Sequence, residues 1–213
     1  MGELIVLKDR FADRSRAERR ARPAFFFDVC CPFSYLAAER IERLLGEVEW
    51  IPASSPALSK GTWGMNKDAI EAAERRAREL RLPLVWPERF PLHAPAALRA
   101  AAYAAQNGEG ARFALAAGRL AFCGGFDLDD PEILAEAAAA AGIRPEGCFA
   151  AISDPGLDGP LGATARGLVA RGVQGLPAVA IGRRLFAGEH RLAEAAALMR
   201  VASAYGDPLA PVG

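Results

Sequence analysis

The sequence predicts an α/β protein in which two short sheet-forming pieces flank a large, all-helical insertion. Three observations support this prediction: a strand–helix–strand pattern near the start, alanine-rich helical segments through the middle, and strand character that returns only near the end. Neither outer piece is large enough to bury the hydrophobic face of its own strands. We therefore expect the two pieces to combine into one small mixed sheet.

Composition and charge limit the class of protein. The chain has 213 residues, of which 52% are hydrophobic and 24% charged, as in a globular domain. The 26 basic residues are balanced by 26 acidic ones, and this disfavours nucleic-acid binding, which normally needs a basic excess. No apolar run approaches the roughly 18 residues of a membrane span. The first apolar stretch stops at Lys8, too early for a secretory signal, so we expect a cytoplasmic protein with reduced cysteines.

The expected organisation has three parts. Residues 1–22 carry seven basic and four acidic side chains and are interpreted as a solvated arm rather than a nucleic-acid contact. Residues 23–54 and 173–213 are predicted to form the sheet-containing domain. Residues 55–172 are predicted to form the helical insertion.

The first outer piece has the pattern of a strand, a helix and a second strand. Phe25–Val29 is apolar except for Asp28, which predicts a buried central strand. Pro32 suits the first turn of a helix because its missing N–H needs no partner there. Apolar residues then recur at helical spacing up to Gly46, which predicts one amphipathic helix. A second strand is predicted at Val48–Ile51.

The rest of the chain is mostly helical until a late hairpin. Alanine-rich helices separated by Gly and Pro are predicted at Ala69–Leu80, Pro95–Gln106, Ala111–Phe122, Pro131–Ala141 and Leu161–Arg171. Strands are expected at Ala178–Ile181 and Leu185–Phe186, joined as a hairpin, and a final helix over Arg191–Ser203.

Cys31 is the candidate nucleophile. It lies between the buried strand and the helix that Pro32 starts, and reactive groups in α/β sheets gather beyond the carboxyl ends of strands. Unpaired N–H groups and the helix dipole at such a position lower the pKa of a thiol to roughly 3.5–7.5. We therefore predict a reactive Cys31 and a Cys30 that packs in the core. The alternative is that both cysteines only fill the core.

Neither a metal site nor a disulfide is predicted. The two remaining cysteines and the two histidines do not stand at the spacing of zinc ligands. A disulfide between the adjacent Cys30 and Cys31 would strain the peptide between them.

A second candidate segment, Gly175-Leu176-Pro177, precedes the late strand. Proline is tolerated where a strand starts, and an X-Pro bond there can be cis. We predict a cis bond between Leu176 and Pro177. It would turn the Leu176 backbone toward the Cys31 sulfur and offer hydrogen-bonding groups to an extended substrate.

These segments together resemble a known superfamily. Cys31-Pro32-Phe33-Ser34 and Gly175-Leu176-Pro177 resemble the thioredoxin superfamily, with the helical insertion of its DsbA branch. Two longer stretches, FDVCCPFSYL at 27–36 and LPLVWPERFP at 82–91, resemble 2-hydroxychromene-2-carboxylate isomerases and kappa-class glutathione transferases. The resemblance implies a thioredoxin-like fold and glutathione as cofactor. It also implies substrate contacts from Pro32, Phe33, Leu176 and Pro177.

Departures from these relatives bear on the chemistry. The isomerases and transferases carry a serine where this chain has Cys31, and that serine stabilises the thiolate of bound glutathione. A cysteine there resembles the nucleophile of DsbA, yet Ser34 replaces the resolving cysteine. The G-x-D-R-L motif appears as residues 188–192 (GEHRL), so His190 stands in place of the aspartate that helps hold the γ-glutamyl end of glutathione. We assign Glu189 and His190 to substrate binding.

Three functions compete. The first is a DsbA-like thiol–disulfide oxidoreductase with Cys31 and Ser34 as catalytic residues, in which an outside thiol such as glutathione resolves the mixed disulfide. The second is a glutathione-dependent isomerase or transferase, in which Cys31 or Ser34 positions the cofactor sulfur. The third is a non-catalytic binding module. The expected partner is a small electrophile or a disulfide, with neither nucleic acid nor membrane, and a homodimer is allowed.

Overall fold

The structure is a computed structural model that describes residues 22–58 and 66–205, with side chains up to residue 201. The predicted arm at residues 1–22 therefore lies outside the described residues, except for Arg22. The proposed boundaries at residues 54/55 and 172/173 stay predictions.

One four-stranded mixed sheet contains strands from both ends of the chain, as predicted. The strands are β1 (Ala24–Phe27), β2 (Glu49–Pro52), β3 (Ala178–Ile181) and β4 (Arg184–Ala187), in the order β2-β1-β3-β4. β1 pairs parallel with β2 and antiparallel with β3, and β3 and β4 form the expected hairpin. The two outer pieces of the sequence thus share one sheet.

The first helical region consists of two helices rather than the single helix predicted up to Gly46. These are α1 (Pro32–Ala38) and α2 (Ile41–Leu45). Arg40 interrupts the helical backbone with φ −131° and ψ −19°, and its side chain forms an ion pair with Glu189. Gly46 ends α2 at φ 75°, a conformation that favours glycine.

Helices are the regular secondary structure of the insertion's described residues, and a loop at residues 81–94 separates two of them. The helices are α3 (Ser55–Leu58), α4 (Lys67–Leu80), α5 (Pro95–Gln106), α6 (Gly110–Phe122), α7 (Pro131–Ala140), α8 (Pro145–Ile152) and α9 (Asp158–Ala170), with a 3-10 turn at Pro155–Leu157. After β4 come a 3-10 turn at Glu189–Arg191 and the last helix, α10 (Leu192–Tyr205). The short helices α3 and α8 were not predicted from the sequence. Over the described ranges, no helix is both long and apolar enough to cross a bilayer.

The packing of α1 against α6 fixes the position of Cys31, the residue immediately before α1. Tyr35 of α1 lies over Gly118 of α6, where an added Cβ would come within 3.3 Å of the tyrosine ring. The same ring stacks on Phe122 with a centroid distance of 5.7 Å. A small residue at position 118 thus lets the two helices approach closely.

A buried carboxylate joins the end of β1 to two later segments. Asp28 is 0% exposed. Its Oδ1 accepts a hydrogen bond from the Cys30 N–H at 2.8 Å, and its Oδ2 accepts one from the Ser55 N–H at 2.8 Å. The Asp28 N–H donates to the Ser34 Oγ at 3.2 Å. Burial raises the pKa of Asp28, and the hydrogen bonds from Ser55 and Cys30 oppose that shift.

Asp28→Ala removes the acceptor of two buried N–H groups, each of which costs about 1–3 kcal/mol when left unpaired. We expect the free energy of unfolding, measured in urea, to fall by at least about 2 kcal/mol. Asp28→Asn should cost less because its amide oxygen can still accept one of the two bonds. The exposed Asp129 is the matched control, and Asp129→Ala should change stability by less than about 0.5 kcal/mol. Equal losses in the two alanine variants would contradict this role of Asp28.

Candidate active site

The Cys31 sulfur lies between the start of α1 and the loop that precedes β3. Cys31 is the N-cap residue of α1 and Pro32 is the first helical residue. The Cys31 Sγ donates a hydrogen bond to the Leu176 carbonyl oxygen at 3.5 Å. The Leu176–Pro177 bond is cis, as predicted. The structure therefore brings together the two segments that the sequence reasoning paired across 145 residues.

The electrostatics of Cys31 differ from the prediction. The side chain is buried at 5% exposure, and burial raises the pKa of the Cys31 thiol to about 11. The negative charge of Asp28 contributes to this rise, whereas hydrogen bonds from Ser34 and Phe33 oppose it. The expectation of a lowered pKa was wrong because the N–H groups at the start of this seven-residue helix do not offset the loss of water.

Ser34 occupies the place of a resolving thiol but has a different set of partners. It is 2% exposed, and its hydroxyl oxygen accepts the hydrogen bond from the Asp28 N–H. Its hydroxyl and its backbone N–H also stabilise the charged form of Cys31. Ser34 can therefore assist a thiolate at Cys31, but it cannot form a disulfide with it.

Cys30 packs in the hydrophobic core, as predicted, at 4% exposure. Burial and the neighbouring Asp28 raise the pKa of its thiol well above the ordinary value. It also lies at the wall of a cavity of about 240 Å³ whose lining includes Asp28, His93, Leu98 and Leu161. This cavity lies on the side of the turn that faces the helical insertion.

Glu189 and His190, both predicted to bind substrate, lie in different environments. Glu189 is 3% exposed and pairs with Arg40 and with Arg76, whose Nε lies 2.5 Å from its Oε2. Two arginines thus hold this carboxylate, and the assignment of Glu189 to substrate binding stays a prediction. His190 is exposed. Both residues line a second cavity of about 280 Å³ together with Phe33, Ala72, Arg75, Arg76 and Glu79.

The sequence reasoning missed the arginine partners of Glu189. Arg76 lies 113 positions from Glu189 in the sequence and belongs to the helical insertion. No local pattern indicates such a contact. Among residues 22–58 and 66–205, no group of three or more His, Cys, Asp or Glu side chains could hold a metal ion.

We expect Cys31 to react more slowly than Cys123, whereas a lowered pKa of Cys31 would make it the faster of the two. Cys123 is partly exposed, whereas the other three cysteines are buried, and only a thiolate that reagent can reach is alkylated. With iodoacetamide at pH 7 we expect Cys123 to be labelled faster than Cys31. Since the pKa of Cys31 is raised to about 11, its labelling rate should rise about tenfold per pH unit between pH 7 and pH 10.

Peptide mass spectrometry after timed quenching measures both rates, and Cys123→Ser removes the competing site. A Cys31 rate that exceeds that of Cys123 at pH 6 and levels off near neutral pH would contradict the raised pKa.

Comparison with known proteins identifies the fold and the family. A search of curated protein sequences finds no match. The solved structure of 2-hydroxychromene-2-carboxylate isomerase superposes with a TM-score of 0.71 at 17% identity, covering 85% of this chain and 95% of that one. The cytosolic disulfide reductase DsbM from Pseudomonas aeruginosa, solved with GSH, gives a TM-score of 0.63 at 16% identity, covering 86% and 98%.

At these identities the similarity to solved structures shows the fold, which is the thioredoxin-like fold with a helical insertion that the sequence predicted. Residues 24–200 match the sequence profile of the DSBA-like thioredoxin domain. That match spans the sheet, the described insertion helices and most of the last helix. The chain therefore belongs to the DsbA-like thioredoxin domain family.

Proposed function

We propose that this protein is a thiol–disulfide oxidoreductase in which Cys31 is the nucleophile and glutathione is the thiol that completes the cycle. The observation that carries the proposal is the position of the Cys31 Sγ, 3.5 Å from the Leu176 carbonyl oxygen. A peptide whose disulfide reacts with Cys31 would lie along this backbone, and a backbone N–H of that peptide could donate to the Leu176 carbonyl, as in strand addition.

The reaction needs two thiol–disulfide exchanges at Cys31 and a third exchange between outside thiols. The Cys31 thiolate attacks one sulfur of the substrate disulfide, a Cys31–substrate disulfide forms, and the other substrate sulfur leaves as a thiolate that takes up a proton. Since Ser34 has no sulfur, an outside thiol must attack the mixed disulfide. That attack releases the Cys31 thiolate and leaves the remaining half of the substrate as a mixed disulfide with the outside thiol. A second outside thiol then reduces this mixed disulfide, so two outside thiols supply the two electrons and leave as their own disulfide. Glutathione is proposed for this step because the structurally similar DsbM was solved with GSH.

The raised pKa of Cys31 favours reduction of substrates over their oxidation. Thiol–disulfide oxidoreductases that act as strong oxidants depend on a stabilised thiolate in their reduced form. Burial raises the pKa of Cys31 to about 11, so this stabilisation is lacking. A thiolate of high pKa is also a strong nucleophile once formed. We therefore propose that the enzyme reduces disulfides.

A second candidate function is a glutathione-dependent isomerase or transferase. The cavity of about 240 Å³ favours it, because a mostly apolar pocket beside the Cys31 turn could hold a small electrophile. His93 is the one histidine at its wall. In this alternative, glutathione would bind intact, and Cys31 or Ser34 would position its sulfur.

Incubation with oxidised glutathione followed by intact-protein mass spectrometry tests the first function. Cys123→Ser removes the more accessible thiol, and in this variant we expect one glutathione adduct, located at Cys31 by peptide mapping, that reduced glutathione then removes. Adding Cys31→Ser to this variant should abolish the adduct. No adduct at Cys31 in Cys123→Ser would sink the proposal. Tight binding of reduced glutathione without an adduct would favour the isomerase or transferase.

Ser34→Cys should convert the single-thiol site into a dithiol site. The Ser34 side chain lies close enough to Cys31 to hydrogen-bond its sulfur, so a sulfur there can attack the mixed disulfide. With oxidised glutathione we expect this variant to accumulate a disulfide between Cys31 and the introduced thiol, seen as the loss of two hydrogens, with little glutathione adduct. Persistence of the adduct in this variant would show that position 34 does not face the reacting sulfur.

A further inference from the structure

The second cavity is lined by residues close along the chain to the proposed reaction centre, and it is a candidate substrate subsite. It lies where α1, α4 and the Glu189–Arg191 turn meet, and it measures about 280 Å³. Phe33, at its wall, follows Cys31 by two residues. The turn is joined to the other half of the site, because the Gly188 N–H donates to the Pro177 carbonyl oxygen at 2.7 Å. A molecule bonded to Cys31 could therefore extend into this cavity.

The arginines and glutamates around this cavity are not all paired with one another. The Glu189 carboxylate is held by Arg40 and Arg76. Glu79 lies 2.8 Å from Nη1 of the same Arg76. Arg75 also lines the cavity, and it has no ion pair with any other residue in the described ranges. Two arginines and two glutamates line the cavity, and Arg40 pairs with Glu189 without being part of the lining. The lining arginine without an ion pair in the described ranges is Arg75.

This arrangement differs from what the resemblance to glutathione-binding relatives implied. In those relatives an aspartate attracts the ammonium group of the γ-glutamyl end, whereas here His190 stands at that position. The neighbouring carboxylate of Glu189 is already neutralised by its two arginines. The cavity therefore offers no unpaired carboxylate from these residues to an ammonium group, and it offers a guanidinium to an anion.

We infer that this cavity binds the anionic end of the thiol or disulfide that reacts with Cys31, and that Arg75 determines this specificity. The inference rests on the proposed function of Cys31. The ligand class is a small disulfide or thiol that carries a carboxylate or a phosphate a few bonds from its sulfur. Glutathione belongs to this class through its carboxylates, and its ammonium group is not what the cavity recognises.

Three small disulfides of different charge test the inference: dithiodipropionate, which is anionic, bis(2-hydroxyethyl) disulfide, which is neutral, and cystamine, which is cationic. Mass spectrometry measures the rate at which each forms a mixed disulfide with Cys31. Each rate is divided by the rate of the same disulfide with free 2-mercaptoethanol, which removes intrinsic reactivity. We expect the anionic disulfide to exceed the cationic one by about tenfold at low ionic strength. Added salt should reduce that ratio.

Arg75→Ala should bring the ratio of anionic to neutral rates close to one, and Arg75→Glu should bring it below one. Arg78, an exposed arginine of the same helix that does not line the cavity, is the matched control, and Arg78→Ala should keep the preference. Equal rates for all three disulfides, or equal losses in Arg75→Ala and Arg78→Ala, would overturn the inference while leaving Cys31 as the nucleophile. Failure of all three disulfides to react at Cys31 would overturn the inference and the proposed function together.

Discussion

The buried carboxylate of Asp28 is the interaction on which the site depends. It lies at the end of β1 and accepts backbone hydrogen bonds from the turn before α1 and from the start of the insertion. A carboxylate with no exposed surface is expensive to desolvate, and paired N–H donors reduce that cost. Those bonds fix the turn that contains Cys31 relative to the sheet and to the insertion. The sheet and the helical insertion thus meet at the Asp28 side chain.

The same carboxylate affects the chemistry of the neighbouring thiol. Its negative charge raises the pKa of Cys31, in the same direction as burial. Hydrogen bonds from Ser34 and Phe33 act in the opposite direction but are outweighed. The sulfur therefore rests as a thiol that donates to the Leu176 carbonyl. A substrate that occupies this carbonyl would remove a partner of the protonated form, which links binding to activation of the nucleophile.

Local sequence patterns predicted most of the fold and the centre of the site. Periodicity located the strands and five of the insertion helices, because each bears a pattern that neighbouring residues create. The pairing of Cys31 with Leu176 and Pro177 followed from a motif shared with other thioredoxin-like proteins. The break at Arg40 could not be predicted, since it accompanies an ion pair with a residue far along the chain.

The charge state of Cys31 depends on its burial, which a sequence motif does not show. A cysteine before a helix start has a lowered pKa only if water or cations also reach it. Here Tyr35 and Gly118 bring α1 and α6 together, and Asp28 adds a negative charge that acts on Cys31. The pattern around Cys31 was therefore correct about its position and wrong about its ionisation.

The central claim is that Cys31 is a buried nucleophile held in its protonated form by burial and by Asp28. An NMR titration of the protein with isotope-labelled cysteine tests it most directly, because the Cβ shift of Cys31 reports its own ionisation. The account predicts a midpoint near pH 11 for Cys31 and a lower midpoint in Asp28→Asn, provided that the variant stays folded. A midpoint at or below neutral pH in the native protein, or one that rises in Asp28→Asn, would contradict the account.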